Sequence, residues 1–162
     1  MEKIQNILVP TDFSANSISA FRYAVSVAKK HEAVIHILHC IEPIPGVKFN
    51  YSDDHGLIQE GIERLQKDMK KFINNISDPE LTIKEVIRTG KAYDQILSYS
   101  RDSGISLIVL ATNVWSEKDN LLAGKVPEKV IRYSKIPVIL IKNDDLAAGK
   151  NFSPVILSPL AQ

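Results

Sequence analysis

Five short runs of branched apolar residues constrain this chain more than any other feature: Asn6-Ile-Leu-Val-Pro10, Ala33-Val-Ile-His-Ile-Leu-His-Cys-Ile41, Leu81-Thr-Ile-Lys-Glu-Val-Ile87, Ser106-Leu-Ile-Val-Leu-Ala111 and Pro137-Val-Ile-Leu-Ile-Lys142. Each has the length of a strand and ends at turn-forming residues. Between them lie segments with helical spacing. Ile18, Phe21, Ala24, Val25 and Ala28 recur on one face of 17–30, and Lys29, Lys30 and His31 at its end are basic residues suited to a helix C-terminus. Ile58, Ile62, Leu65, Met69, Phe72, Ile73 and Ile76 make a second stripe over 57–76, with most of its charges on the opposite face. A short helix is expected around Tyr93 to Ser100 after Gly90, and another from Val126, where Pro127 is tolerated because it falls in the first turn. Strand and helix alternate throughout, which predicts right-handed crossovers and an open, doubly wound, five-stranded, mainly parallel α/β sheet flanked by about four helices.

Length and charge narrow the function. The 162 residues, 44% of them hydrophobic, suit one domain with one sizeable core. Twenty basic and nineteen acidic residues leave a net charge of +1, no field for gathering nucleic acid or an anionic membrane. The single Cys40 has no partner for an internal disulfide and fits a reducing, cytoplasmic setting. No run reaches membrane-spanning length, and the N-terminus lacks a signal-peptide pattern. The four histidines show no ligand spacing, and His36 and His39 fall on opposite faces of their strand, so no metal is expected. No base stands at nucleophile spacing from Ser14, and there is no Gly-x-Ser-x-Gly elbow, so no catalytic set is read.

Ligands of open α/β sheets sit beyond the C-terminal ends of strands where the strand order reverses. Three loops qualify: Pro10 to Ser14, Ile41 to Gly46 and Ala111 to Lys125. Asp12, Ser14 and Asn16 are also natural caps for the first helix, and both readings remain open for Asp12. Flavin binding is disfavoured, because only Trp115 and Thr11 offer the aromatic ring and hydroxyl it uses.

The runs Ile7-Leu-Val-Pro-Thr-Asp-Phe-Ser14, Gly90-Lys-Ala-Tyr-Asp-Gln-Ile96, Leu107-Ile-Val-Leu110 and Leu121-Leu-Ala-Gly-Lys-Val-Pro-Glu-Lys-Val-Ile-Arg132, followed by Ile136-Pro-Val-Ile139, together resemble a universal stress protein domain over roughly residues 3 to 142. The resemblance implies a Rossmann-like fold of the adenine nucleotide alpha hydrolase type in residues 1–142, with 143–162 as a tail, arm or added strand. It implies candidate nucleotide contacts at Pro10, Thr11, Asp12, Ile41, Ala111, Asn113, Gly124, Lys125 and Val126. In the family's glycine loop, of pattern G-x-x-G-x9-G-[ST], only Gly124 matches; Ala111, Val114 and Lys125 replace two glycines and the hydroxyl. Trp115, Glu117 and Asp119 add bulk and negative charge, which repels a triphosphate.

The resulting expectation is a non-catalytic stress-response protein acting through homodimerisation or protein partners, with weak or no binding of ATP or AMP. The alternative is an adenine-nucleotide sensor or weak ATPase-like switch using Asp12 and Gly124. The family's pairing through its last strand implies a dimer contact at Val138, Ile139, Leu140 and Ile141, whose unpaired edge would otherwise be a liability. The tail carries Pro154-Val-Ile-Leu157, a copy of Pro137-Val-Ile-Leu140, and its apolar residues favour docking on a sheet edge or on a partner.

Overall fold

The computed structural model describes residues 3–47, 55–76, 78–112, 114–116, 121–123, 125–142 and 154–157. In chain order the elements are β1 (Asn6–Pro10), α1 (Ala15–His31), β2 (Val34–Ile41), α2 (His55–Asn74), β3 (Ile83–Thr89), α3 (Ala92–Asp102), β4 (Leu107–Thr112), β5 (Val114–Ser116), β6 (Leu121–Ala123), α4 (Lys125–Tyr133), β7 (Val138–Lys142) and β8 (Pro154–Leu157). The main sheet runs β3-β2-β1-β4-β7-β8. Its first five strands are parallel, as the alternation of strand and helix requires, and β8 joins antiparallel to β7.

The apolar runs are continuous because both faces of the sheet are covered. Ile7, Val9, Ile35, Ile37, Val109, Ile139 and Ile141 point to one face, where they pack with Phe21, Ala24 and Ala28 of α1 and Met69 and Phe72 of α2. Phe21 and Phe72 stack with ring centroids 5.3 Å apart, joining the two helices. Leu8, Leu38, Ile108, Leu110 and Leu140 point to the other face, onto Ile96 and Tyr99 of α3 and Val130 of α4. β3 closes one edge and is only half covered; Lys84, Glu85 and Arg88 stand along it, charges that discourage edge-to-edge pairing.

Two features depart from the sequence reading. The stretch after β4, read from sequence as a loop, contains an antiparallel pair in which Val114, Trp115 and Ser116 pair with Ala123, Leu122 and Leu121. Each arm is a trio with strand-forming residues, too short to register as a strand by periodicity. The edge of the last parallel strand is also not open. β8 takes up the outer side of β7, so Val138, Ile139, Leu140 and Ile141 are paired on both sides, with β4 and with β8. The premise of an exposed edge at these four residues is thereby corrected; the reason is the tail's own apolar tetrapeptide. Among the described residues, no helix is long and apolar enough to cross a membrane, and no group of three His, Cys, Asp or Glu is placed to hold a metal.

His36 and His39 do face opposite sides of β2. His36 is buried with its two ring nitrogens engaged. Its Nε2 lies 3.0 Å from Asn6 Oδ1 and its Nδ1 2.7 Å from the Tyr99 hydroxyl. The Asn6 amide nitrogen donates to Gly104 O, which leaves Oδ1 as the acceptor facing the ring. The neutral ring with its proton on Nε2 therefore satisfies all three groups, with Tyr99 donating to Nδ1. Burial, reinforced by the nearby Lys84 charge, lowers the pKa of His36 below 6.5.

The sign of the pH dependence follows. In the unfolded chain His36 takes up a proton near 6.5, whereas in the fold it does so only at lower pH. Its contribution is complete above 6.5 and is lost as pH falls from there through the lowered folded value. Asp12 and Asp78, lowered from 3.8, act in a more acidic window. The melting temperature is expected to fall between about pH 7.5 and about pH 5, and to fall less in a His36→Gln variant. Equal falls in the two proteins, followed by circular dichroism, would contradict this assignment.

Candidate functional site

The strand order reverses between β1 and β4: β1 leads outward to β2 and β3 on one side, while β4 and β7 lie on the other. A cleft of about 430 Å³ opens there at the C-terminal ends of the strands, within the range of small-molecule sites. Its floor is apolar, formed by Pro10, Leu38, Ile96, Leu110, Ala111 and Val126. Three helices turn their N-terminal residues toward it: Ser14, Asn16 and Ser17 at the start of α1, Ala92 at the start of α3, and Val126 with Pro127 at the start of α4.

The turn from β1 into α1 is built on Asp12. Its Oδ1 accepts from the Ser14 amide at 2.9 Å and from the Ser17 hydroxyl at 2.8 Å. Ser14 is the N-cap of α1, its side-chain oxygen accepting from the Ser17 amide at 3.4 Å. Burial alone would raise the Asp12 pKa, but the hydrogen bonds from Ser14 and Ser17 outweigh it and the net shift is downward. Asp12 is therefore an anion at neutral pH. An ionised carboxylate has about four acceptor positions, and bonds from the Ser14 side chain and the backbone amide of Asp12 itself add to these two in lowering its pKa.

Phe13 sits between these caps with a φ of 64°, a left-handed conformation uncommon for an aromatic residue. Three contacts hold it. Its amide donates to the Thr11 hydroxyl at 2.9 Å, its ring stacks on His39 at 4.5 Å, and it meets Phe72 edge-on at 5.9 Å. His39 Nδ1 donates in turn to the Thr11 carbonyl at 2.9 Å, which ties the end of β2 to the turn after β1.

The opposite wall carries a second carboxylate. Glu42, immediately after β2, accepts from the Ala92 amide at 2.8 Å and so caps α3, whose own N-cap residue, Lys91, makes no side-chain cap bond. A negative group at a helix N-terminus is favourable both as hydrogen-bond acceptor and against the helix dipole. The turn that presents Ala92 depends on Gly90, which has a φ of 144°, and any Cβ there would come within 2.6 Å of the Gln95 side chain.

Of the residues proposed from sequence, Pro10, Thr11, Asp12, Ala111 and Val126 come together in the lining. Ile41 does not: its carbonyl accepts from Gly90 at 2.9 Å, and His39, Cys40 and Glu42 line the cleft on either side of it in sequence. Lys125 is exposed at the first position of α4 and is not part of the lining. Asn113 and Gly124 lie outside the described residues. Sequence reasoning missed Ser17, His39 and Glu42. Ser17 stands three residues after the Ser14 cap, the position from which a capping-box side chain reaches back, and that spacing could have drawn attention to it; the other two depend on strand register.

Cys40 also lines the cleft. Burial, with the Glu42 charge adding to it and Arg88 opposing, pushes its thiol up to about 11. It is thus a neutral thiol under ordinary conditions. Alkylation by iodoacetamide near about pH 8 should run roughly 100-fold slower than for a free cysteine, because the thiolate fraction is that much smaller. Denaturation should abolish the difference, and a native rate equal to that of free cysteine would contradict the stated environment.

Five parallel strands, a cleft at the switch point and converging helix N-termini define a doubly wound α/β protein. The model of the universal stress protein family matches residues 3–142, and the chain belongs to that family. A universal stress protein of Methanocaldococcus jannaschii is 26% identical over 139 residues, covering 85% of this chain and 82% of the relative. The crystal structure of a universal stress protein in complex with cAMP is similar with a TM-score of 0.65 and 22% identity, covering 86% of this chain and 97% of that one. A universal stress protein family protein from Arabidopsis thaliana with AMP bound has a TM-score of 0.61 and 17% identity, covering 87% and 94%. The fold is thus shared with proteins crystallised with cAMP and AMP.

Proposed function

We propose that this chain is a non-catalytic stress-response protein whose cleft takes an adenine nucleoside or its monophosphate, held by the apolar floor and by Asp12, and gains nothing from a triphosphate. The observation that carries this reading is the charge of the cleft. Asp12 and Glu42 stand in the lining, and no Lys or Arg stands among the described residues that form it. Each carboxylate is bonded at the start of a helix, to Ser14 and Ser17 of α1 and to Ala92 of α3, so the chain supplies its own anions where a phosphate would seek amides. Asp12 takes hydroxyl donors, as its bond from Ser17 shows, and a ribose hydroxyl has the same chemistry.

The start of α4 adds little for phosphate. Pro127 has no amide hydrogen, and Lys125 is exposed at the first helical position, outside the lining of the cleft. The two proteins of this fold crystallised with cAMP and AMP support a monophosphate-scale ligand. An ATP-driven sensor or switch is the competing reading; it requires Gly124 and Lys125 to hold the outer phosphates against the two acids.

Calorimetric titration with adenosine, AMP, cAMP and ATP separates the two. Adenosine or AMP is expected to bind, with ATP no tighter than AMP. An Asp12→Asn variant should weaken the bound ligand about 5- to 30-fold, the loss of one charge-assisted hydrogen bond of about 1–2 kcal/mol. ATP binding ten or more times tighter than AMP would favour the switch. No heat with any of the four would remove the nucleoside reading.

A further inference from the structure

The antiparallel pairing of β7 and β8 sets Val138 opposite Leu157, Ile139 opposite Ile156, Leu140 opposite Val155 and Ile141 opposite Pro154. The tetrapeptide of β8, Pro154-Val-Ile-Leu157, is identical to Pro137-Val-Ile-Leu140, which leads into β7 and forms its first three residues. Matching the two copies makes Ile156 the counterpart of Ile139, and these two residues face each other. Val138 then faces the counterpart of Leu140, and Leu140 faces the counterpart of Val138. This is the register that two copies of β7 would adopt about a two-fold axis through Ile139, an isologous strand pair.

We propose that β8 stands in for the β7 of a second copy of this chain, so that the edge of β7 holds either its own tail or another subunit, never both. The inference does not depend on the cleft, and a chain that binds no nucleoside would still show it.

Three observations favour self-occupation as the resting state. β7 without β8 would present the row Val138-Ile-Leu-Ile141 on an open edge, a template for any strand. β8 replaces it with a four-residue edge bounded by Pro154 and, in sequence, by Pro159; short, proline-flanked edges resist further pairing. The connection between the two strands, residues 143–153, is longer than the two to five residues of a tight hairpin. A covalent connection of that length in sequence sets the effective concentration of β8 at β7 on the order of millimolar. A second copy offering the same ladder at micromolar concentration is then outcompeted by roughly a thousandfold. Release of β8 is what would admit it.

The test compares the full chain with two full-length variants, Val155→Pro/Ile156→Pro, which removes backbone donors from β8, and Val155→Gly/Ile156→Gly, which weakens the strand while keeping them. Sedimentation velocity at about 1–100 µM reads the assembly, a range below that effective concentration, and circular dichroism reads the fold. The native chain is expected to be monomeric at about 10 µM. The proline variant should be folded and dimeric, with an apparent dissociation constant at least about 100-fold tighter, and the glycine variant should fall between. A labelled peptide of residues 153–158 should bind the proline variant, split its dimer and ignore the native chain. The proposal is overturned by a native chain that is already dimeric at these concentrations, by a folded proline variant that stays monomeric, or by a dimer indifferent to the peptide. Unfolding of both variants overturns it too, since β8 would then be an integral strand and not a detachable one.

Discussion

The Asp12 carboxylate, shared between the Ser14 amide and the Ser17 hydroxyl, is the contact around which the site is arranged. It lets β1 stop at the switch point and α1 start almost at once, with the helix N-terminus turned toward the cleft. Phe13 is held in a left-handed conformation within this turn, and its ring is clasped by His39 and Phe72. Local backbone strain of this kind persists only where surrounding contacts over-determine it. Here those contacts come from β2 and α2, so the functional turn and the core of one sheet face stabilise each other.

The same logic governs the charge of the cleft. Helix N-termini attract anions, and three of them converge on one crevice. In this chain two are already served by its own acids, Asp12 for α1 and Glu42 for α3. The cleft is thereby left with acceptors and an apolar floor, and the proposed preference for a ligand rich in hydroxyl donors over one rich in phosphate rests on that setting. The raised thiol of Cys40 belongs to the same picture: burial and Glu42 both disfavour a further negative charge at that wall.

The five parallel strands and their helices could be read from sequence because their residues face apolar neighbours on both sides of the sheet, and runs such as Leu107-Ile-Val-Leu110 leave little alternative. Pairings of three or four residues were harder. Val114–Ser116 with Leu121–Ala123 has no periodicity to detect, and β8 was recognisable only as an echo of β7, without a rule to say whether it would dock on its own sheet or on another. At the site, Asp12 and Ser14 carried cap chemistry that sequence displays openly. That His39, Cys40 and Glu42 line the cleft while Ile41 does not was hidden, because it turns on strand register and on the bond that the Gly90 amide donates to the Ile41 carbonyl.

The central claim is that the crevice between β1 and β4 is a nucleoside site anchored on Asp12. Amide chemical shifts recorded by NMR during titration with adenosine test it residue by residue. The account predicts saturable shifts concentrated at Thr11, Asp12, Ser17, His39, Glu42, Ala92 and Val126, with little change along β3 and β8. Shifts confined to other surfaces, or none at millimolar adenosine, would contradict it.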